Sequence, residues 1–367
     1  MNVLMLSTDA SIFEPGSESH GRMKDYGTLA ERLDIIVCTT GFLMRELVIS
    51  DTARAIPTNS SSKLWYVRDI LRAAKRKVLR DVDLVTSQDP FETGLAGWLM
   101  ARRLKAKLQL QVHTDFLSPY FAPESFKNFI RVRIAKWLLP KSDSIRVVSE
   151  RVKRSLEGIV PDMSRVHVLP IFIGTGSRAL FVIDLHKQYP QFETIVLMAS
   201  RLEPEKNISL AISSFAEVAQ KHPHVGLVVV GTGSQEQPLK QLVQKLGLVD
   251  SVVFAGRAED VSAYYKTADL FLNTSNYEGY GRTLIEAAAN CPIITTDVGV
   301  VGEIINKENS LVIPVGDTKA LVTSMLKLIN DKSLRQELAQ KARDAIQFLD
   351  SKDSYLRKYQ QSWRIPS

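Results

Sequence analysis

The sequence predicts an α/β protein with two Rossmann-like domains, each built on a doubly wound parallel sheet. Short apolar runs alternate with helix-like stretches along the whole chain, which is typical of strands that are buried on both faces. The alternation occurs in two series of similar length, and 367 residues suit two domains of about 150 residues each. Apolar residues make up 45% and charged residues 24%, a composition that excludes a disordered or fibrous protein.

The first series predicts a domain over residues 1–172, because the last strand-like run closes at Leu169-Pro170 and a glycine-rich loop follows. Its predicted strands are Val3–Leu6, Ile35–Thr39, Leu84–Thr86, Leu108–Val112 and Ser144–Val148. Its predicted helices are Glu92–Leu104 and Ser125–Leu139.

The second series predicts a domain over residues 190–349. Its predicted strands are Thr194–Ala199, Val225–Val230, Val252–Phe254, Leu270–Asn273 and Ile293–Thr295. Its predicted helices are Ser209–Lys221, Gln237–Leu246, Val261–Lys266, Thr283–Asn290, Lys319–Asn330 and Ser333–Phe348. In the last stretch, 350–367, helical spacing puts four side chains on one face that must dock elsewhere: Tyr355, Leu356, Tyr359 and Trp363.

The formal net charge of +7 lies entirely in the N-terminal half. Residues 1–185 contain 27 Lys and Arg against 20 Asp and Glu, whereas residues 186–367 contain 20 of each. This imbalance indicates either an ordinary solvated surface or an anionic partner. The stretch 63–80 is basic with apolar residues at helical spacing, which suits a core-facing helix or a membrane-surface helix. Our hypothesis is that it docks anionic lipid together with residues 127–136.

The chain opens without the marks of an export signal, because residues 1–6 lack a basic region and Asp9 interrupts the apolar run. No apolar stretch approaches the roughly 20 residues of a membrane span. Two cysteines, Cys38 and Cys291, do not make a disulfide framework. We therefore expect a cytoplasmic protein that is at most peripheral on the inner face of the membrane.

The most informative candidate site is the segment SNYEGYGRTLIE at residues 275–286, between a predicted strand and a predicted helix. Gly279 and Gly281 permit a tight turn and a close approach of backbone to a ligand. Free N–H groups at a helix start suit an anion or a hydroxyl group. Glu278 precedes the helix and Glu286 lies one to two turns inside it, so both carboxylates can flank one ligand.

A second candidate segment, SRLEPEKN at residues 200–207, follows the first predicted strand of the second domain. Ligands of doubly wound sheets bind at the carboxyl ends of the strands, so Arg201 and Lys206 stand at the correct edge. A guanidinium matches phosphate oxygens with two donors, and an ammonium group adds a point charge. A polar surface loop is the alternative interpretation of this segment taken alone.

Together these segments resemble the retaining glycosyltransferases of family 4, which have the GT-B fold. The resemblance is strongest over residues 194–316 and includes VVVGTGSQ at 228–235, VVFAGR at 252–257 and PIITTDVGVVGEII at 292–305. It implies two Rossmann-like domains facing a central cleft, with the C-terminal helix crossing back to the N-terminal domain. It also implies transfer of a sugar from a UDP- or GDP-type nucleotide sugar to a lipid, saccharide or other glycan precursor.

The resemblance also implies roles for single residues. Arg201 and Lys206 are similar to the pair that holds the donor diphosphate, where cations stabilise the charge of the leaving group. Glu286 is similar to the residue that binds the ribose hydroxyl groups, and Glu278 to the carboxylate facing the transferred sugar. The other donor-binding residues that it implies are Gly231, Gly233, Gly279, Tyr280, Gly281, Arg282 and Thr283.

Two residues of the N-terminal domain match the family more loosely. Gly16 follows the first predicted strand, like the family's glycine-rich loop, and would let the backbone approach the diphosphate. His113 ends a predicted strand, like the family's active-site histidine, and would lie near the reacting sugar. A packed or surface histidine is the alternative interpretation.

Other classes stay open at this point. The segment GTGSRA at 174–179 fits a loose dinucleotide fingerprint and favours an NAD-dependent oxidoreductase, but its acidic partner would be Glu193, which precedes its strand. A GT-B-like hydrolase or epimerase and a non-catalytic sugar-nucleotide binder are further alternatives. Asp81 and Asp83 precede a buried strand, so we interpret them as strand entry rather than as a metal-binding pair. We expect no cofactor and no essential metal.

Overall fold

The computed structural model describes residues 1–41, 43–78, 81–174, 183–258 and 260–365. The chain divides into two compact units: the first holds residues 1–170 with the terminal stretch from residue 350, and the second holds residues 171–349. Within the described ranges, no helix has the length and apolar character needed to cross a membrane.

The first unit is built on a sheet whose neighbouring strands are parallel except for β3 and β4. Its described strands are β1 (Asn2–Ser7), β2 (Arg32–Val37), β3 (Leu47–Val48), β4 (Ala53–Pro57), β5 (Leu84–Ser87), β6 (Lys107–Val112), β7 (Ser144–Val147) and β8 (Val166–Val168). Their order is β3-β4-β2-β1-β5-β6-β7-β8. Its helices are α1 (Glu18–Gly27), α2 (Tyr66–Lys77), α3 (Glu92–Leu104), α4 (Phe121–Glu124), α5 (Phe126–Leu138) and α6 (Glu150–Ser155).

The second unit is built on a parallel sheet in the order β11-β10-β9-β12-β13-β14. Its described strands are β9 (Thr194–Ala199), β10 (Val225–Val230), β11 (Val252–Gly256), β12 (Leu270–Asn273), β13 (Ile293–Thr296) and β14 (Leu311–Ile313). Its helices are α7 (Leu185–Gln188), α8 (Ile208–Lys221), α9 (Glu236–Lys245), α10 (Ser262–Thr267), α11 (Arg282–Ala288), α12 (Thr318–Asn330) and α13 (Lys332–Ile346). The final helix of the chain is α14 (Lys352–Trp363).

The strand order reverses once in each sheet, which confirms the predicted doubly wound α/β fold. β1 lies between β2 and β5, and β9 lies between β10 and β12. Every residue of β9 and β10 is buried, as expected for strands covered by helices on both faces. A reversal opens a crevice beyond the carboxyl ends of the central strands, where ligands of such sheets bind.

The terminal helix packs on the first unit through the predicted aromatic face. Tyr355, Tyr359 and Trp363 are buried. The Tyr26 ring stacks on the Tyr359 ring with centroids 4.0 Å apart, and the two hydroxyl groups of Tyr26 and Tyr355 are 3.0 Å apart. The expected return of the chain to its N-terminal domain is therefore confirmed.

Three short strands were not predicted, whereas the strand-like run that closes at Leu169-Pro170 is β8. β3, β4 and β14 have two to five residues each, too few for a clear periodicity. In α2, Ile70 and Ala74 are buried, so this part of the basic stretch faces the core, as in the core-facing interpretation, whereas Leu64 just before the helix is 92% exposed. Residues 79–80 of this basic stretch lie outside the described residues. Asp83 accepts a hydrogen bond from the Asn2 backbone at 2.7 Å at the entry to β5, as the strand-entry interpretation predicts.

Candidate donor site

The centre of the candidate site is an ion pair between loops that follow two neighbouring strands. Lys206 follows β9 and Glu278 follows β12, at the point where the strand order reverses. Lys206 Nζ is 2.6 Å from Glu278 Oε1, and each side chain is 14% exposed. The Ser275 hydroxyl donates to the same carboxylate oxygen at 2.8 Å. The structure thus places a cation and an anion together at the edge where ligands of this fold bind.

Hydrogen bonds between the two loops hold this pair in place. The Thr274 hydroxyl lies 3.0 Å from the backbone oxygens of Lys206 and of Asn207. The Asn276 backbone N–H donates to the Glu205 carbonyl at 2.8 Å, and the Asn207 side-chain amide donates to the Asn276 side chain at 3.0 Å. Asn207 adopts a left-handed conformation, with φ of 46°, as the chain enters α8. These contacts tie residues 205–207 to residues 274–276, and so they fix the backbone position of Lys206.

A cavity of about 320 Å³ opens at the carboxyl ends of β9, β10 and β11. The charged side chains that line it are Arg201, Arg257 and Glu286. Arg201 is 73% exposed and reaches Glu205 at 2.8 Å. The apolar wall of the cavity is formed by Val261, Ala258 and Tyr265. Two further residues that the sequence predicted, Gly231 and Thr283, also line it.

Glu286 is held at the cavity wall by two neighbours. The Tyr265 hydroxyl donates to Glu286 Oε2 at 3.3 Å, and Arg282 Nη2 lies 3.2 Å from Glu286 Oε1. Burial, together with the Glu286 charge, raises the pKa of Tyr265 well above its usual value. Tyr265 therefore stays a hydrogen-bond donor, which orients the carboxylate toward the cavity. Arg282 does not line the cavity, and its role is to hold Glu286 through this ion pair along one face of α11.

Glycines let the neighbouring loops approach closely. Gly231 has a φ of 131°, and a Cβ atom there would lie 1.9 Å from the Ser200 carbonyl oxygen. A Cβ atom at Gly233 would lie 2.4 Å from the Leu202 carbonyl oxygen. Gly231 lines the cavity, whereas the lining residues do not include Gly233. Gly233 thus lets the two loops pack closely and does not itself line the cavity.

The turn before α11 is held by a second turn at residues 298–300. Gly281 precedes the helix with a φ of 87°, and Gly279 and Tyr280 are buried. The Val300 backbone N–H donates to the Tyr280 carbonyl at 2.8 Å. A Cβ atom at Gly299 would lie 2.5 Å from that same carbonyl oxygen, so the close contact requires glycine.

Gly16 and His113 lie in the first unit, at the carboxyl edge of its sheet. Gly16 follows β1 with a φ of 93° and has open space where a Cβ would be, so the backbone conformation alone accounts for glycine here. The next residue, Ser17, caps α1 by accepting from the His20 backbone N–H at 3.0 Å. His113 follows β6 directly.

A buried network fixes the tautomer of His113. Gln111 Nε2 donates to Thr86 and to the Tyr359 hydroxyl, at 2.9 and 3.2 Å. Its Oε1 therefore accepts from Arg146 Nη1 at 2.8 Å and from His113 Nε2 at 3.0 Å. Burial, reinforced by nearby arginine charges, lowers the pKa of His113 to about 3. At neutral pH His113 is thus neutral, with its proton on Nε2 and an acceptor at Nδ1.

Arg257 and Tyr265 of the cavity were not predicted, although signals for them existed. Arg257 directly follows β11, the position from which strand-end residues reach a ligand, and Tyr265 lies on α10, one turn from the cavity residue Val261. Among the residues that the structure describes, no group of three or more His, Cys, Asp or Glu could hold a metal ion. Residues 175–179 of the possible dinucleotide fingerprint lie outside the described residues. Glu193 precedes β9, so it lacks the strand-end position that the oxidoreductase alternative requires.

Two family models match consecutive parts of the chain. The model for glycosyltransferase family 4 matches residues 28–176, and the model for glycosyl transferases group 1 matches residues 185–345. Together they match most of the sequence. The chain belongs to the group 1, family 4 type of glycosyltransferases.

Curated members of this glycosyltransferase group are similar to part of the chain. The lipopolysaccharide core biosynthesis mannosyltransferase LpsB of Rhizobium meliloti is 28% identical over 54% of this chain and 58% of its own length. The N-acetyl-alpha-D-glucosaminyl L-malate synthase of Bacillus anthracis is 27% identical over 69% of this chain and 65% of its own length. The chain thus spans less than two thirds of these relatives.

Solved structures share the fold of this glycosyltransferase over nearly its full length. Sucrose-phosphate synthase from Thermosynechococcus elongatus superposes with a TM-score of 0.82 at 19% identity, covering 99% of this chain and 98% of that one. Anabaena HepE in complex with UDP-glucose superposes with a TM-score of 0.75 at 18% identity, covering 99% and 98%. These likenesses confirm the GT-B fold.

Proposed function

We propose that this protein transfers a sugar from a nucleotide-diphosphate sugar to a glycan or lipid acceptor, with retention of the anomeric configuration. The observation that carries the proposal is the Lys206–Glu278 pair at the carboxyl edge of the second sheet. At the same edge, two arginines and one carboxylate line a cavity that includes neither Lys206 nor Glu278. This arrangement suits a donor with an anionic diphosphate and a ribose. One solved structure above is a complex with UDP-glucose, and one relative is named as a mannosyltransferase; both names support this class of donor.

The proposed chemistry follows from where charge develops. Breaking the glycosidic bond adds negative charge to the diphosphate, and cations placed there stabilise the transition state more than the ground state. Lys206 has three N–H donors and spends one on Glu278, so the others can reach phosphate oxygens. Arg201 is exposed enough to swing from Glu205 to the diphosphate. Because these cations supply the charge, we propose that transfer needs neither a metal ion nor a cofactor.

The remaining residues would orient the donor and the sugar. Glu286 would accept hydrogen bonds from the ribose hydroxyl groups, and the apolar wall around Val261 would face the base. In the first unit, neutral His113 presents Nδ1 as a hydrogen-bond acceptor that suits a hydroxyl group of a sugar. We propose that the acceptor attacks the face from which the diphosphate leaves, which yields retention.

A thermal-shift screen against UDP-, GDP- and ADP-sugars tests this proposal. We expect one nucleotide class to raise the melting temperature, because a ligand at 100 times its Kd adds about 2.7 kcal/mol of stability. The increase should persist in a chelator. It should be lost in Glu286→Gln and kept in the matched control Glu308→Gln, an exposed position. Stabilisation by none of the donors, or an unchanged shift in Glu286→Gln, contradicts the proposed site.

We further propose that the first unit contacts anionic membrane through α5 rather than through α2. The exposed stripe of α5 contains Phe126, Phe129, Ile130, Arg133 and Trp137. We call this stripe the aromatic–basic face. Residues 125–142 contain five Lys or Arg and no Asp or Glu. Aromatic rings flanked by cations are what an anionic bilayer interface binds.

Flotation with vesicles tests this contact. We expect the protein to float with vesicles that contain about 30% phosphatidylglycerol at low salt, and not with pure phosphatidylcholine. Phe126→Ser combined with Trp137→Ser should abolish flotation. Phe348→Ser, at an exposed phenylalanine of the second unit, is the control that should leave it unchanged. Equal flotation of the double variant contradicts the proposal.

A further inference from the structure

A groove of about 480 Å³ lies beside β4 of the first unit. One wall is the solvent side of α2, and the other is formed by residues 44–46 and by the loop that follows β4. Ile56 and Pro57 of β4 contribute its apolar part. None of the residues assigned to the donor site lines this groove.

The groove contains cations that its own acidic residues do not neutralise. Arg68, Arg72 and Arg76 line it at intervals of four residues, on one face of α2. Arg68 is paired with its neighbour Asp69 at 3.1 Å. Within the described ranges, Arg72 and Arg76 have no carboxylate within ion-pair distance, and both are exposed. Like charges four residues apart destabilise a helix slightly, so their placement favours a role in binding.

Glu46, the other acidic residue of the groove, is already paired with two cations. Glu46 Oε1 lies 3.0 Å from Arg54 Nη1, and Glu46 Oε2 lies 3.4 Å from Lys77 Nζ. The groove therefore offers two guanidinium groups to an incoming anion, with the Ser61 hydroxyl on the opposite wall. A phosphomonoester carries a charge of about −1.5 to −2 and three acceptor oxygens. Two guanidinium groups therefore match a phosphomonoester better than they match a single carboxylate.

We propose that this groove binds a phosphomonoester group of the acceptor. That the ligand belongs to the acceptor rests on the proposed function. That the groove binds a phosphomonoester does not depend on it. β4 is separated from β1 by β2 alone, and all three strands run parallel. At about 4.8 Å between strands, the carboxyl end of β4 lies roughly 10 Å from the carboxyl end of β1. An acceptor of the length of a phosphorylated sugar spans that distance.

Isothermal titration at low salt with glycerol phosphate tests the groove. Flotation on phosphatidic-acid vesicles is a second arm, in which every protein also carries Phe126→Ser and Trp137→Ser, because that background removes the membrane contact proposed for α5 and leaves the groove intact. We expect binding in at least one arm, weakened about tenfold or more in Arg72→Gln combined with Arg76→Gln. Lys75→Gln is the matched control, because Lys75 is exposed on the same helix and does not line the groove. Binding to glycerol phosphate indicates a soluble acceptor, and binding only to vesicles indicates a lipid-linked one.

Two results overturn the proposal: no binding in either arm, or the same affinity in the double variant and the wild type. Tight binding of malonate, a dicarboxylate, also overturns the assignment to a phosphomonoester. The melting temperature and the nucleotide-induced shift of the double variant should equal those of the wild type, since the donor site is untouched. If no nucleotide sugar stabilises the wild type, the proposed function is refuted, but the binding of a phosphomonoester in the groove can still be tested.

Discussion

Replacing Lys206 by methionine is expected to lower kcat/KM for sugar transfer by about 10²–10³-fold, the effect of removing one well-placed charge from a transition state. The same change leaves Glu278 without its cation in a site that is 14% exposed. We therefore expect the free energy of unfolding to fall by about 1–3 kcal/mol, less than for a fully buried pair. Steady-state kinetics and thermal unfolding measure the two effects separately.

A second variant separates catalysis from structure. Combining Lys206→Met with Glu278→Gln removes both charges, so most of the lost stability should return, whereas transfer should stay impaired. Lys221→Met is the matched control, because Lys221 forms a surface pair with Glu217 at 2.7 Å and both are about half exposed. It should change stability by less than about 0.5 kcal/mol. Transfer within threefold of wild type in Lys206→Met contradicts a role for this lysine in the reaction.

The largest expected loss of stability follows replacement of Arg146 by methionine. Arg146 is buried, and its guanidinium donates to neutral acceptors: the carbonyls of Leu169 and Pro170, the Gln111 side chain and the Tyr355 hydroxyl, at 2.8–3.2 Å. Its face also lies 4.8 Å from the Tyr359 ring centroid. Removing it leaves several buried acceptors unpaired, at about 1–3 kcal/mol each. We expect a total loss of about 3 kcal/mol.

Thermal unfolding should show this loss in the transition of the first unit, as a decrease of about 6–12 °C for a unit of this size. Arg103→Met is the control, because Arg103 is exposed on α3, and its melting temperature should stay within about 1 °C. A shift below 2 °C in Arg146→Met contradicts the view that this arginine anchors α14. The network reaches His113 through Gln111, so the same variant should also reduce transfer.

Local periodicity explains what could be predicted of the fold. Strands such as β9 and β10 are continuous apolar runs, and the aromatic spacing of α14 marks its buried face within twelve residues. β3 and β14 have two and three residues, so they take their conformation from neighbouring strands rather than from their own pattern. The apolar face of α2 was visible in the sequence, but whether it meets core or membrane depends on what packs against it.

The same distinction applies to the site. Strand-end position and chain order pointed to Lys206 and Glu278, and the structure joins them at 2.6 Å. Arg146 lies in the middle of a buried strand, and its partner Tyr355 is 209 residues away, so no local pattern reveals the pair. The tautomer of His113 depends on that same long-range network, and it could not be predicted from the sequence.

A crystal structure with the nucleoside diphosphate that stabilises the protein most tests the donor site most directly. We predict that the two phosphates contact the side chains of Arg201 and Lys206, and that the ribose hydroxyl groups contact Glu286. Density for the diphosphate away from these residues, for example against Arg72 and Arg76 in the groove of the first unit, would contradict the assignment.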